Sequence, residues 1–109
     1  MKSPLVEKRC KACEPGTPAM NEAQVGLLLP QVDGWEARDG GITKNFKFQN
    51  YYQTMAFVNA VAWVANREDH HPDLEVSYNR CKVRFSTHSA GGLTENDFIS
   101  AAKVDALMD

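Results

Sequence analysis

The stretch Trp35-Glu36-Ala37-Arg38, Asp39-Gly40-Gly41 and Ile42 to Phe48 constrains this chain more than any other part of it. It reads as two strands joined by a tight glycine-rich turn. Ile42, Phe46 and Phe48 share one parity while Thr43, Asn45 and Lys47 share the other, the alternation of a sheet with one buried and one wet face. A second hairpin follows. Leu74, Val76 and Tyr78 alternate against Glu75, Ser77 and Asn79, a turn falls near Asn79-Arg80, and Cys81, Val83 and Phe85 alternate against Lys82, Arg84, Ser86 and His88. By parity, that last set faces away from the core. Each hairpin has an apolar face that must be covered by something.

Three helical stretches supply the cover. Asn21 and Gln24 form a cap with a reciprocal partner, after which Val25, Leu28 and Leu29 keep helical spacing until Pro30 ends the pattern. Asn50 and Gln53 repeat the cap, and Met55, Phe57, Val58, Val61, Ala62, Val64 and Ala65 make a broad apolar stripe, so a long central helix runs from about Tyr51 to about Arg67. Gly91-Gly92 breaks the last strand, and Thr94-Glu95-Asn96-Asp97 is a capping box that opens a final helix through Phe98, Ile99, Ala101, Ala102, Val104 and Leu107. The expected order is α-β-β-α-β-β-α. The expected fold is α+β, a four-stranded antiparallel sheet with helices packed on one face.

Length and charge narrow the function. A chain of 109 residues is one domain and has little material for a separate cofactor-binding lobe. Residues 1–19 carry three of the five prolines and no apolar periodicity, so they are expected to be an irregular N-terminal arm before a domain spanning 20–109. With 12 Lys+Arg against 14 Asp+Glu and a net charge of −2, nothing attracts a phosphate backbone, so direct nucleic-acid binding is not expected. No apolar run approaches the roughly 20 residues of a membrane span, and no continuous apolar signal segment opens the chain. The expectation is a cytoplasmic protein that does not enter a membrane.

Cys10, Cys13 and Cys81 are an odd number, which argues against a disulfide framework. Cys10-Lys11-Ala12-Cys13 has a spacing used for zinc or redox work, but it lacks a second ligand pair, and the Glu14-Pro15-Gly16-Thr17-Pro18 that follows reads as loop. These thiols are expected to be ordinary exposed groups, and Cys81 a core residue.

The three histidines are the chain's neutral-pH titrating side chains other than the thiols. His70 and His71 follow the central helix in a turn opened by Pro72, and His88 ends the fourth strand on its open side. Adjacent histidines project in different directions and no HxH or HxxxH pair is present, so no metal site is expected. As residues alone, they serve equally as solvated turn and strand-end groups or as an acid/base set.

Glu68-Asp69-His70-His71-Pro72-Asp73, Tyr78-Asn79, Ser86-Thr87-His88, Gly91-Gly92-Leu93-Thr94 and Asp97-Phe98 together resemble the signature of the pterin-4a-carbinolamine dehydratases, in that family's order and spacing. The resemblance covers the chain from about Met20 to its end. It implies dehydration of 4a-hydroxytetrahydrobiopterin to the quinonoid dihydropterin, recycling the tetrahydropterin used by aromatic amino acid hydroxylases, with no cofactor and no metal. It further implies His70, His71 and His88 as active-site histidines, with His70 and His88 the acid/base pair and His71 positioning the pterin, and Pro72, Thr87 and Ser89 bordering its ring. Asp97 also matches the motif, but its role as the N3 partner of Thr94, capping the last helix, is the stronger reading. Many members carry a glutamate where this chain has Asn66, so a carboxylate tuning the histidines is expected from Glu68, Asp69 or Asp73. The family forms dimers and tetramers, so a homodimer or homotetramer is expected, with an aromatic amino acid hydroxylase as a candidate partner. The competing expectation is an interaction module that dimerises or regulates a hydroxylase or a transcription factor.

Overall fold

The computed structural model of the chain describes residues 4–12 and 16–108. Its regular elements, in order, are helix α1 (Glu22–Leu28), strands β1 (Glu36–Arg38) and β2 (Gly41–Lys47), helix α2 (Tyr51–Glu68), strands β3 (Asp73–Ser77) and β4 (Arg80–Phe85), and helix α3 (Glu95–Ala106). Short 3-10 turns occupy Pro4–Glu7, Leu29–Gln31 and His88–Ala90. The strands form one antiparallel sheet in the spatial order β1-β2-β4-β3, which puts the two longest-paired strands in the centre. This is the expected α+β architecture.

The first hairpin closes as its sequence predicts. Asp39 and Gly40 take left-handed φ values of 52° and 76° between the paired Arg38 and Gly41, the mirror-image turn whose twist matches that of its strands. Arg84 reinforces it from β4, donating to the carbonyls of Arg38 and Asp39 at 3.0 and 2.7 Å. The second turn differs by one residue from the sequence expectation: Ser77 pairs with Arg80, so the loop is Tyr78-Asn79. Its carbonyls are taken from outside the hairpin, the Tyr78 oxygen by the Thr54 hydroxyl at 2.9 Å and the Asn79 oxygen by the Phe48 N–H at 2.8 Å. Tertiary partners, which the local sequence does not reveal, therefore set that turn.

Ile42, Phe46, Cys81, Val83 and Phe85 point into the core, where α2 contributes Phe57 and Val61 and α3 contributes Phe98, Ile99 and Val104. Lys44 interrupts the apolar parity of β2. Its ammonium lies 5.1 Å from the centroid of the Phe46 ring and reaches Asp105 at 3.0 Å and the Asp33 carbonyl at 2.9 Å, while the Trp35 indole N–H donates to the same Asp105 carboxylate. Helix α2 extends one residue past its expected end, to Glu68, and α1 ends at Leu28 before a 3-10 turn carries Pro30.

The arm is not irregular throughout. Pro4–Glu7 forms a 3-10 turn and Leu5, only 2% exposed, joins the core cluster. An apolar side chain at one position is enough to dock such a segment, and one position has no periodicity to read. Among the described residues no helix is long and apolar enough to cross a membrane.

Candidate functional site

The C-terminus of α2, the end of β4 and the first turn of α3 meet at His70. Helix α2 is closed by Asp69 in a left-handed conformation (φ 51°), and the His70 N–H still donates to the Ala65 carbonyl at 3.1 Å. This turns the His70 side chain inward, where only 12% of it is exposed. Its ring lies nearly parallel to that of Phe85, with centroids 5.9 Å apart and planes 11° from parallel.

Its Nε2 is 2.6 Å from Asp97 Oδ1. The other oxygen of that carboxylate accepts from the Thr87 hydroxyl at 2.8 Å and from the Thr94 N–H at 2.9 Å. Because the Thr87 proton goes to Asp97, the Thr94 hydroxyl, 2.9 Å away, donates to Thr87. Asp97 is fully buried in the first turn of α3, and both oxygens of its carboxylate are engaged by the contacts just described. An ionised carboxylate only accepts, so it fixes a hydrogen on His70 Nε2 and leaves Nδ1 as the nitrogen whose lone pair can serve a reaction.

Asp97 therefore does two things at once. It caps α3, as its position three residues after Thr94 predicts, and it also orients His70, which the sequence reading assigned to no carboxylate beyond Glu68, Asp69 or Asp73. That expectation is corrected: Asp69 and Asp73 are exposed, and Glu68 turns toward the N-terminal arm, with Oε1 accepting from the Cys10 N–H at 2.8 Å. Asn66, standing where the family often has glutamate, places Oδ1 3.1 Å from His71 Nε2. The capping spacing was a visible signal for Asp97; its reach to His70 was not, because it depends on α3 beginning beside the end of α2.

His88 also departs from expectation. Strand β4 ends at Phe85, opposite Ile42, where β2 has only Gly41 left before its turn. The chain then folds on itself through a Thr87–Gly92 bridge around the turn His88–Ala90, which Gly91 closes at φ 73°. His88 is exposed, but its direction is set by this turn and not by strand alternation.

A cleft of about 350 Å³ opens at His70, bordered by Thr87, Ser89, Asn96, the end of α2 and Cys10–Ala12 of the arm. Its size lies at the small end of ligand sites, suited to a bicyclic ring. His88 lines an adjoining hollow of about 270 Å³ with Arg84 and Gly92, and Thr87 borders both spaces. Of the residues singled out from sequence, His70, Thr87 and Ser89 share the first cleft. His71 and Pro72 border neither of the two, His71 being exposed and Pro72 half-buried on the chain leading into β3.

Cys10 is not an ordinary exposed thiol. It is half-buried, with Sγ 3.4 Å from the Ser100 hydroxyl and 3.5 Å from the Asn96 carbonyl, and burial pushes its thiol above the usual range despite the Ser100 hydrogen bond. Cys81, fully buried as its parity predicts, is raised by the same desolvation. Cys13 lies outside the described residues. Among those described, no three His, Cys, Asp or Glu side chains gather as a metal site would require.

Fold and site together define a small α+β protein with a carboxylate-oriented histidine in a ring-sized cleft. The family model of pterin 4 alpha carbinolamine dehydratase matches residues 18–107. A protein of Nitrosospira multiformis with the provisional name pterin-4-alpha-carbinolamine dehydratase is 55% identical over 103 residues, 94% of this chain and 91% of its own length. One of Stenotrophomonas maltophilia with the same provisional name is 56% identical over 108 residues, 97% of this chain and 93% of its own. Among solved structures, a transcriptional coactivator/pterin dehydratase from Brucella melitensis superposes with a TM-score of 0.79 at 34% identity, covering 84% of this chain and 99% of that one. A pterin dehydratase-like protein described as a RuBisCO assembly factor of the alpha-carboxysome has a TM-score of 0.57 at 26% identity, covering 67% of this chain and 84% of that one. The chain belongs to the pterin-4a-carbinolamine dehydratase family.

Proposed function

We propose that the protein dehydrates 4a-hydroxytetrahydrobiopterin to the quinonoid dihydropterin, in the cytoplasm, a product that a separate reductase must reduce before tetrahydropterin serves an aromatic amino acid hydroxylase again. The reaction breaks the C4a–O bond and removes one ring N–H proton, so that hydroxyl and proton leave as water. It needs a base for the N–H and an acid for the departing hydroxyl, tasks suited to imidazoles near neutral pH.

The observation that carries this reading is the His70–Asp97 pair, 2.6 Å apart at the wall of the cleft. With its Nε2 hydrogen held by Asp97, neutral His70 offers Nδ1 as the base, and the carboxylate stabilises the imidazolium that forms. His88, one residue beyond the shared Thr87, is assigned the acid, and His71, held by Asn66, a positioning role at the rim. Thr87 and Ser89, which line the cleft, are assigned to the ring's border, whereas Pro72, which lines neither space, has that role only as the family resemblance implies it. The test is a coupled assay in which a tetrahydropterin-dependent hydroxylase generates the carbinolamine. Micromolar protein should speed its disappearance, and an unchanged rate would overturn the proposal.

A second role as an interaction module is favoured by the outer edge of β3, unpaired among the described residues, and by the turn after it, where Val76 and Tyr78 are 43% and 63% exposed. A homodimer or homotetramer is proposed on the same ground. A His70→Ala protein that retains a hydroxylase or transcription-factor partner while losing turnover would separate the two roles; one that loses neither would leave the interaction role alone.

A further inference from the structure

The first described residues precede the segment that the family model matches, which begins at residue 18, yet they are fastened at several points. Leu5 is in the core, and the Lys103 ammonium donates to the Val6 carbonyl at 2.8 Å. Beyond that anchor, two polar clamps hold the chain. At the first, Glu68 accepts from the Cys10 N–H at 2.8 Å through Oε1 and lies 3.1 Å from Arg9 Nε through Oε2. At the second, Lys11 and the Asn96 side-chain amide make a two-way pair: the Lys11 N–H donates to Oδ1 at 3.0 Å, and Nδ2 donates to the Lys11 carbonyl at 2.6 Å.

The Glu68 side chain is only 2% exposed, and a buried carboxylate is tolerated only when charges and donors satisfy it. Among the described residues, the groups that satisfy it, apart from Lys103 at 4.0 Å, come from the arm. Both clamps also sit beside the reacting pair. Glu68 is two residues before His70 and Asn96 immediately precedes Asp97, while Cys10, Lys11 and Ala12 border the same cleft.

We propose that Cys10–Ala12 form a substrate-positioning wall of the His70 cleft, with Glu68 the positioning residue that latches it in place through Arg9 and Cys10. The inference rests on the pterin reading above. A bicyclic ring that must present its hydroxyl and its N–H to different groups gains from being bounded on more than one side. Here the second boundary is the arm, facing the same space as Thr87 and Ser89. Such a wall touches the ring equally before and during reaction, so its removal weakens binding and leaves the chemical step alone.

The test compares Glu68→Ala and Asn96→Ala with Lys8→Ala in the full chain. Lys8 forms an exposed pair with Glu95 at 3.1 Å and does not border the cleft, so its removal should change nothing. For Glu68→Ala the expected result is a rise of about tenfold in KM for the carbinolamine and in Kd for 7,8-dihydrobiopterin, with kcat within about twofold. The Cys10 thiol should also become faster to alkylate, which reports release of the arm independently of activity. Asn96→Ala should give the same KM and Kd pattern, and it stands as the test should Glu68→Ala fail to fold. A released arm with unchanged KM and Kd would overturn the wall alone. An unaltered protein that neither binds dihydrobiopterin nor turns over the carbinolamine would overturn the pterin reading, and the wall with it.

Discussion

Asp97 Oδ1 lies 2.6 Å from His70 Nε2, although His70 follows the end of α2, Asp97 sits in the first turn of α3, and the two are 27 positions apart in the chain. The carboxylate is held on its far side by Thr87 and Thr94, so its position is set before any ligand arrives. A histidine oriented in this way has a defined tautomer, and a defined tautomer is what a proton-transfer step requires.

Replacing Asp97 with Asn keeps the shape and removes the charge. The dehydration rate should fall by about a hundredfold, measured as kcat in the coupled hydroxylase assay. Asp97→Ala should also lose stability, because the Thr94 N–H and Thr87 hydroxyl are left buried without their acceptor. Urea unfolding should register a loss of about 2–5 kcal/mol, and a loss under about 1 kcal/mol would contradict the capping role.

His70→Ala and His88→Ala should each lower turnover by about 10²–10⁴-fold, but with different pH signatures. The base must be unprotonated and the acid protonated, so loss of His70 should flatten the acidic limb of the kcat/KM profile and loss of His88 the alkaline limb. Matching profiles for the two variants would remove the division of roles proposed for them.

Phe85 supports His70 from below and is 1% exposed in the core. Phe85→Ala should cost about 3–5 kcal/mol in chemical denaturation. Phe85→Leu should cost less and still lower turnover, since the imidazole would lose the flat surface that fixes its plane. Full activity in a folded Phe85→Leu protein would show that the stacking is structural alone.

Burial raises the thiols of Cys10 and Cys81, so the fold favours their neutral forms. A folded pKa above the unfolded one contributes stability that is complete below the unfolded value and is lost as pH rises through the folded value. The protein should therefore lose stability in the alkaline range, and Cys10→Ser with Cys81→Ala should reduce that dependence. At neutral pH both thiols should react with iodoacetamide far more slowly in the native protein than in urea, as read by mass spectrometry of the labelled peptides.

Gly40 takes φ 76° in the first hairpin turn, where a Cβ is strained whatever the space around it. Gly40→Ala should destabilise by about 1–2 kcal/mol in thermal or urea unfolding. An unchanged midpoint would mean the turn relaxes without cost, contrary to its clamping by Arg84.

Parity and capping made most of the fold legible. Cys81, Val83 and Phe85 are buried as their alternation predicts, Asp39-Gly40 closes its hairpin, and Asn21, Asn50 and Thr94 open the three helices. These are local effects, set by backbone geometry and by which face of an element is apolar, so neighbours in sequence suffice to specify them. The site was legible only in part. His70, Thr87 and Ser89 do share a cleft, but His88 left the strand that parity gave it because β2 ran out of partner, and the carboxylate beside His70 is Asp97 and not a near neighbour. Likewise, Leu5 and Glu68 tie down an arm whose composition read as irregular. Each of these outcomes is a pairing between distant segments, and a donor, acceptor or apolar side chain has no preference for a distant partner until packing brings one within reach.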